Sequence, residues 1–285
     1  MKNISEKQKK TQIWFKFLRN QICEMLEESE KKFNGSEKSF KKKKWYRDPT
    51  RNKDLGGGEM SLLKGELFEK AGVNISTVYG SFSKEFRKKI PGTEKNANFW
   101  ASGISVVIHP FSPLIPSIHM NTRYIITQKQ WFGGGTDITP TYKNSQESKN
   151  LAKLFHKNLK KICEEYQKGS YKQFSSWCDK YFYLPHRNET RGLGGIFYDY
   201  LNSNKWEKDF DFTKNVGLTF IKTYMEIVKL TANKSWNDSD KKKQLFRRAR
   251  YTEFNLLHDR GTKFGLMTNG NTEAILMSLP PLASW

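Results

Sequence analysis

Two stretches decide the architecture: Ile104-Ser-Val-Val-Ile-His109 and, after the proline-rich link from Pro110 to Pro116, Ile118-His-Met-Asn-Thr-Arg-Tyr-Ile-Ile-Thr127. Both are rich in β-branched residues and read as strands. Side chains two apart share a face of a strand. On the first strand Ser105, Val107 and His109 point one way, and Ile104, Val106 and Ile108 the other. On the second, His119, Asn121 and Arg123 oppose Met120, Thr122 and Tyr124. A half-exposed antiparallel sheet alternates in this way. Solvent-facing strands do not favour His, Asn and Arg in succession, however, and Arg offers a planar fork to a carboxylate. The polar face suits an anion pocket, with ordinary solvent-facing residues as the alternative.

Working outward, Trp131 to Tyr142 is a further strand or loop, broken by Gly133, Gly134 and Gly135 and followed by Asp137. Glycine lets a backbone approach a flat ligand, and a carboxylate beyond it can accept hydrogen bonds from ligand N–H groups. Taken alone the stretch reads equally as a turn, and it lacks the spacing of a dinucleotide fingerprint. Residues 12 to 32 form an amphipathic helix with Phe15, Leu18, Ile22 and Met25 on one stripe. Asp54–Gly58 reads as a glycine-rich turn and Phe68 to Ser83 as loop with a short strand. Helices are expected from Ser145 to about Lys168 and over 170–183, 211–230 and 238–248. Gly194–Tyr200 and Tyr251–Leu257 read as strands, and Thr272–Leu279 is a last apolar segment stopped by Pro280 and Pro281. With no βαβ rhythm, the expectation is α+β: one domain over 1–285, an antiparallel sheet flanked by helices, with 1–53 a basic helical amino-terminal region.

Composition narrows the function. Aromatic residues make up 14% of the 285, enough to build a core although the hydrophobic share is only 36%. The net charge of +21 favours anionic partners: nucleic acid, an acidic surface or a polycarboxylate metabolite. The basic run Lys41–Lys44 with Arg47, Arg51 and Lys53 reads as a solvated loop. Cys23, Cys163 and Cys178 form no CxxC pair, which argues against a disulfide framework or a cysteine zinc site and suits a reducing cytoplasm. No apolar run approaches a membrane span. None of the five histidines lies in an HExxH or similarly close metal spacing.

Read together, several blocks resemble the oxygen-dependent coproporphyrinogen III oxidases. They are Phe68-Glu-Lys-Ala-Gly-Val-Asn74 with Ser76; Gly103–Pro110; His119-Met-Asn-Thr-Arg123; Trp131-Phe-Gly-Gly-Gly-Thr-Asp137 with Pro140; and Trp177-Cys-Asp-Lys-Tyr-Phe182 running into His186-Arg-Asn-Glu189. Arg191-Gly-Leu-Gly-Gly195, Tyr251-Thr-Glu-Phe-Asn255 with Asp259-Arg-Gly261, and Ile275-Leu-Met-Ser-Leu-Pro-Pro281 complete them in the family's order.

The resemblance implies conversion of coproporphyrinogen III to protoporphyrinogen IX, two propionates being decarboxylated to vinyl groups with O2 as oxidant and no organic cofactor. It implies a homodimer and a large antiparallel sheet between helices. It places Ser105 and Asn121, Thr122 and Arg123 against substrate, makes His119 the proton donor, and assigns Arg123 and Asp137 to substrate handling and catalysis. His109, His119, His156 and His186 match positions proposed as ligands of a divalent metal, so these four are expected to converge. Asp137 is the natural acceptor for pyrrole N–H groups. Residues Asn269, Gly270 and Asn271 stand where many members carry a substrate-binding Gly-Gly-Arg, and the match stops at Trp285, before a tail that many members have. His258 falls on no family histidine and reads as structural. Residues 251–285, with Tyr251, Phe254, Leu256, Leu257, Ile275, Leu276, Met277, Leu279 and Leu282, are the expected dimer surface. The rival classes are a basic nucleic-acid-binding protein, for which no DNA or RNA motif is found, and a histidine metallohydrolase.

Overall fold

The computed structural model describes residues 5–88, 90–267 and 270–285. Helix α1 (Glu6–Asn34) starts on Ser5, which forms a capping box with Gln8, and ends at Gly35 in the left-handed region, φ 63°. Strands β1 (Lys41–Tyr46), β2 (Gly56–Leu63) and β3 (Lys70–Ser81) follow, then the single turn α2 (Lys84–Arg87). Strands β4 (Asn98–His109), β5 (Ser117–Ile126) and β6 (Gln130–Thr139) form a meander. Helices α3 (Gln146–Tyr166) and α4 (Ser170–Tyr181) lead to a two-stranded ribbon, β7 (Tyr183–Leu184) and β8 (Glu189–Thr190). Strand β9 (Gly195–Leu201) is followed by α5 (Trp206–Thr231), α6 (Asp238–Leu257), α7 (Arg260–Met267) and α8 (Thr272–Leu276).

Among the described residues, seven strands make one antiparallel sheet in the order β1-β2-β3-β4-β5-β6-β9. The α+β expectation holds. One face, with Val73, Ile104, Val106, Met120, Tyr124, Phe132, Ile138 and Tyr198, is fully buried in the main core. It packs under α1, α3 and α5 through Phe15, Leu18, Phe155, Leu159, Val216 and Phe220. On β5, burial alternates strictly from Ile118 to Tyr124, as the sequence pattern requires. The opposite face stays half-open over β4 and β5. It is flanked by a smaller cluster of Cys178, Phe182, Leu184, Phe197 and Phe254.

Four local readings are corrected. Gly56–Gly58 open strand β2 rather than forming a turn, and the Trp45 ring takes the space that a side chain on Gly58 would need. Phe68 to Ser83 holds a full strand of 12 residues. Lys41–Lys44 is an exposed edge strand, where lysines discourage pairing with another chain. Tyr251–Leu257 is not a strand but the last two turns of α6. The buried positions Gln244, Arg248, Tyr251 and Asn255 recur at helical spacing, but three of them are polar, so no apolar stripe marks them.

The 251–285 segment also divides differently from expectation. Tyr251, Phe254 and Met277 are buried within the chain, Met277 lying on Gly72, where a Cβ would sit 2.7 Å from its Cγ. Among the described side chains, Leu256, Leu257, Leu266, Leu282 and Trp285 are exposed apolar ones there.

Candidate active site

The register of the sheet builds the site row by row. Gly72, Val107, His119, Asp137 and Gly195 lie across from one another on β3, β4, β5, β6 and β9. The next row is Asn74, Ser105, Asn121, Gly135 and Phe197, and the third is Ser76, Gly103, Arg123 and Gly133. Directly opposed residues share a face, so Ser105, His119, Asn121 and Arg123 stand together on the half-open side, as their alternation predicted. Thr122 does not join them. It lies in the row of Ile104 and Gly134, buried against the helices, and its hydroxyl has no partner. One residue of offset puts a side chain on the other side of a sheet, so Thr122 is corrected from substrate contact to core position.

At one end of this face a buried chain of polar groups begins. His119 Nδ1 lies 3.0 Å from Asp137 Oδ1, and Arg191 Nη2 donates to the same oxygen at 2.7 Å. Arg191 Nη1 donates to Asn255 Oδ1 at 3.0 Å. Both members of the Asp137–Arg191 ion pair are buried, with side-chain exposures of 2% and 1%. Phe182, Tyr251 and Phe254 enclose the guanidinium, 4.0, 4.4 and 4.8 Å from its carbon. Burial alone would raise the Asp137 carboxyl, but Arg191 and the His119 hydrogen bond outweigh it and hold it below its ordinary value. An ionised carboxylate only accepts, so His119 donates Nδ1–H. That leaves Nε2, which has no hydrogen-bond partner among the described residues, as the nitrogen able to exchange a proton with a ligand. Asp137 itself is 1% exposed. Its carboxylate is in contact with His119 and Arg191.

At the other end, Arg123 Nη1 donates to Asn121 Oδ1 at 2.9 Å and Nη2 lies 2.9 Å from Asp199 Oδ2. The site thus presents one imidazole and one guanidinium along a strand, over a strip backed by Gly103, Gly133 and Gly135. A model of the coproporphyrinogen III oxidase family matches residues 10–285. The chain belongs to the coproporphyrinogen III oxidase family. It is 53% identical over 275 residues to an oxygen-dependent coproporphyrinogen-III oxidase of Rickettsia bellii, covering 96% of this chain and 97% of the relative. Proteins of that name from Rickettsia akari and Rickettsia rickettsii are 54% and 53% identical over 271 residues, 95% of each chain.

The metal-ligand set drawn from the resemblance to the coproporphyrinogen oxidases does not assemble here. His109, at the end of β4, is wholly buried, with Nε2 3.0 Å from the Ser278 carbonyl and Nδ1 3.4 Å from Ser117 Oγ. Burial and the nearby Arg248 push it down to about 3, so it stays neutral. His156 on α3 lies 2.8 Å from both the Tyr171 hydroxyl and the Leu193 carbonyl. His186 lies 3.1 Å from His258 Nε2 and 2.7 Å from Glu253 Oε2. Three of the four rings thus have both nitrogens committed, each on a different element. Among the described residues no three His, Cys, Asp or Glu groups are placed to hold a metal. The expectation that the four histidines converge is corrected, and no chemical step is drawn through a metal. His258, read as structural, stacks on His186 with ring centres 5.2 Å apart.

Two other expectations meet the structure unevenly. Asn269 lies outside the described residues. Asn271 uses its side chain to cap α8, accepting from the Ala274 amide at 2.9 Å, and the Gly270 amide donates to the Gly265 carbonyl. Sequence reasoning did not single out Arg191, Asn255 or Asp199. Arg191 stands directly before a Gly-x-Gly-Gly run in a motif of the family, and that was its only signal. A depression of about 550 Å³ near the β5–β6 turn, lined in part by Lys129, Trp131 and Tyr200, lies beyond the polar rows and contains none of these residues.

Proposed function

We propose that the half-open face of the sheet binds coproporphyrinogen III, and that the chain oxidatively decarboxylates two of its propionates to vinyl groups. The product is protoporphyrinogen IX, and O2 is the oxidant. For each propionate, loss of CO2 and formation of the vinyl group release two electrons and one proton. With one further proton they reduce O2 to hydrogen peroxide, which balances the step without an organic cofactor. A flat macrocycle with four carboxylates and four N–H groups needs a flat floor, a cation and a proton-exchanging group. The observation that supports this reading most strongly is that His119 and Arg123 stand on one glycine-backed face, about 13 Å apart along β5 at strand rise. Arg123, with Asn121 and Ser105 beside it, receives a propionate. Asp137 and Arg191 hold His119 with Nε2 toward the ring, where it exchanges the pyrrole proton whose removal makes the macrocycle electron-rich enough to react with O2.

The enzyme is read as a homodimer whose contact uses the exposed Leu256, Leu257, Leu266 and Leu282, since a closed twofold dimer sets the same side chains of both copies against each other. Its site of action is read as a reducing cytoplasm, given three free, buried cysteines. No helix among the described residues is long and apolar enough to cross a membrane. The proton role is tested with His119→Asn, which should bind coproporphyrin III as wild type does yet lose at least about a hundredfold in turnover. Turnover within about threefold of wild type would remove His119 from the reaction.

A further inference from the structure

The Arg123 guanidinium does not wait for a ligand unaccompanied. Its Nη2 is 2.9 Å from Asp199 Oδ2, in a pair whose side chains are only 30% and 12% exposed. The backbone is shaped to put that carboxylate there. The β6–β9 register shifts between Phe132 and Gly134, so β9 bulges opposite Gly133. Tyr200 takes φ 54°, unusual for a non-glycine residue, and its amide donates to Asp199 Oδ1 at 3.1 Å. A Cβ on Gly133 would stand 2.5 Å from Asp199 Oδ1 and 3.0 Å from Arg123 Nη2. Glycine at that position is what lets the pair lie flat on β6. Asn121 holds the other terminal nitrogen at 2.9 Å.

We propose that Asp199 is a positioning and specificity-determining residue, an internal counter-carboxylate that holds Arg123 in place while keeping its grip on substrate propionates weak. The inference rests on Arg123 being a propionate seat, as proposed above. A carboxylate arriving at Arg123 meets a pair of nearly zero net charge and gains orientation from the remaining N–H groups with little net Coulomb attraction. That balance suits the reaction for two physical reasons. A propionate leaves as neutral CO2, so any ion pair that stabilises the carboxylate before the reaction raises the barrier to losing it. Two propionates must also react in turn, and the described residues contain one His119–Asp137 pair, so the macrocycle has to re-seat between steps. Each time a propionate leaves Arg123, Asp199 is already in place as the partner, and the guanidinium is never stranded.

The test uses coproporphyrin III, the oxidised macrocycle with the same four propionates that is not turned over, with binding read by fluorescence titration. Asp199→Asn keeps the shape and the amide-facing oxygen but removes the charge. It should bind coproporphyrin III roughly three- to tenfold more tightly. It should also lower kcat on coproporphyrinogen III and raise the proportion of singly decarboxylated, three-carboxylate intermediate in the products. Asp199→Glu should return both constants towards wild type. Should Asp199→Asn fail to fold by circular dichroism, Asp199→Ser carries the same expectation of tighter binding. Weaker or unchanged binding in a folded, charge-neutral variant would overturn the proposal, because a merely structural Asp199 would misplace Arg123 and cost affinity. Arg123→Gln separates the two levels of the reading. It should weaken coproporphyrin III binding, and unchanged affinity there would remove the propionate seat itself, and the proposal with it.

Discussion

The buried Asp137–Arg191 pair makes a demanding prediction about stability. In Arg191→Met the guanidinium is replaced by an apolar side chain that suits the ring enclosure of Phe182, Tyr251 and Phe254, so packing is largely kept. What is lost is the cation facing a carboxylate of 2% exposure. Removing one partner of a buried pair leaves an uncompensated charge, which costs about 3–5 kcal/mol. Asn255 Oδ1 also loses its donor, a smaller effect in the same direction. For a domain of this size the expected fall in Tm is on the order of 10 °C. Arg191→Met combined with Asp137→Asn removes both charges and should recover at least about half of the loss. Urea and thermal melts of the wild type, the two single variants and the double variant measure the coupling directly. A cost under about 1 kcal/mol for Arg191→Met, or losses that simply add in the double variant, would refute the claim that Arg191 compensates Asp137.

Three further outcomes follow from the same geometry. Asp137→Asn should lower turnover about a hundredfold or more while leaving coproporphyrin III binding near wild type, because an amide no longer fixes which nitrogen of His119 carries the proton; turnover close to wild type would reject the orienting role. The Glu253 carboxyl accepts from Arg187, His186 and Trp285, and these bonds, Arg187's foremost, hold it down at about 2. Its contribution to stability is therefore full above about pH 4.5 and lost as pH falls towards 2, so the Tm gap between wild type and Glu253→Gln should close over that window; a gap independent of pH would contradict it. Leu256→Asp with Leu257→Asp should yield a folded monomer by sedimentation and circular dichroism, whereas an unchanged dimer would place the contact elsewhere.

The sheet was legible wherever one buried face imposes a period of two. The alternation in 104–109 and 118–126 was enough to place Ser105, His119, Asn121 and Arg123 on one side. That rule also puts Thr122 on the opposite face from the other polar residues of the His119–Arg123 block in which it sits. Strands made of lysine or glycine, as in Lys41–Lys44 and Gly56–Gly58, have no such signature, since their composition favours loops and only pairing makes them strands. Burial of polar groups was the least legible property. Glu30, an acid in the lysine- and glutamate-rich end of α1, is fully buried and accepts the backbone N–H groups of Glu66, Leu67 and Phe68. Arg191 and Asp137 stand 54 residues apart, and nothing local in either stretch announces that they meet. The histidines misled for the opposite reason. Imidazole is both a good metal ligand and a good hydrogen-bonding residue, and His109, His156 and His186 each satisfy both nitrogens locally.

The central claim is a reaction carried out on the half-open face by this chain's own side chains with O2 as the oxidant. It is tested most directly by incubating the purified wild-type protein with coproporphyrinogen III, in air and under strict anoxia, and following protoporphyrin fluorescence after oxidation of the product. The account predicts protoporphyrin formation in air, release of two CO2 for each protoporphyrinogen, and none of this without O2. Sustained conversion under anoxia, or an inactive but folded protein in air, would contradict it.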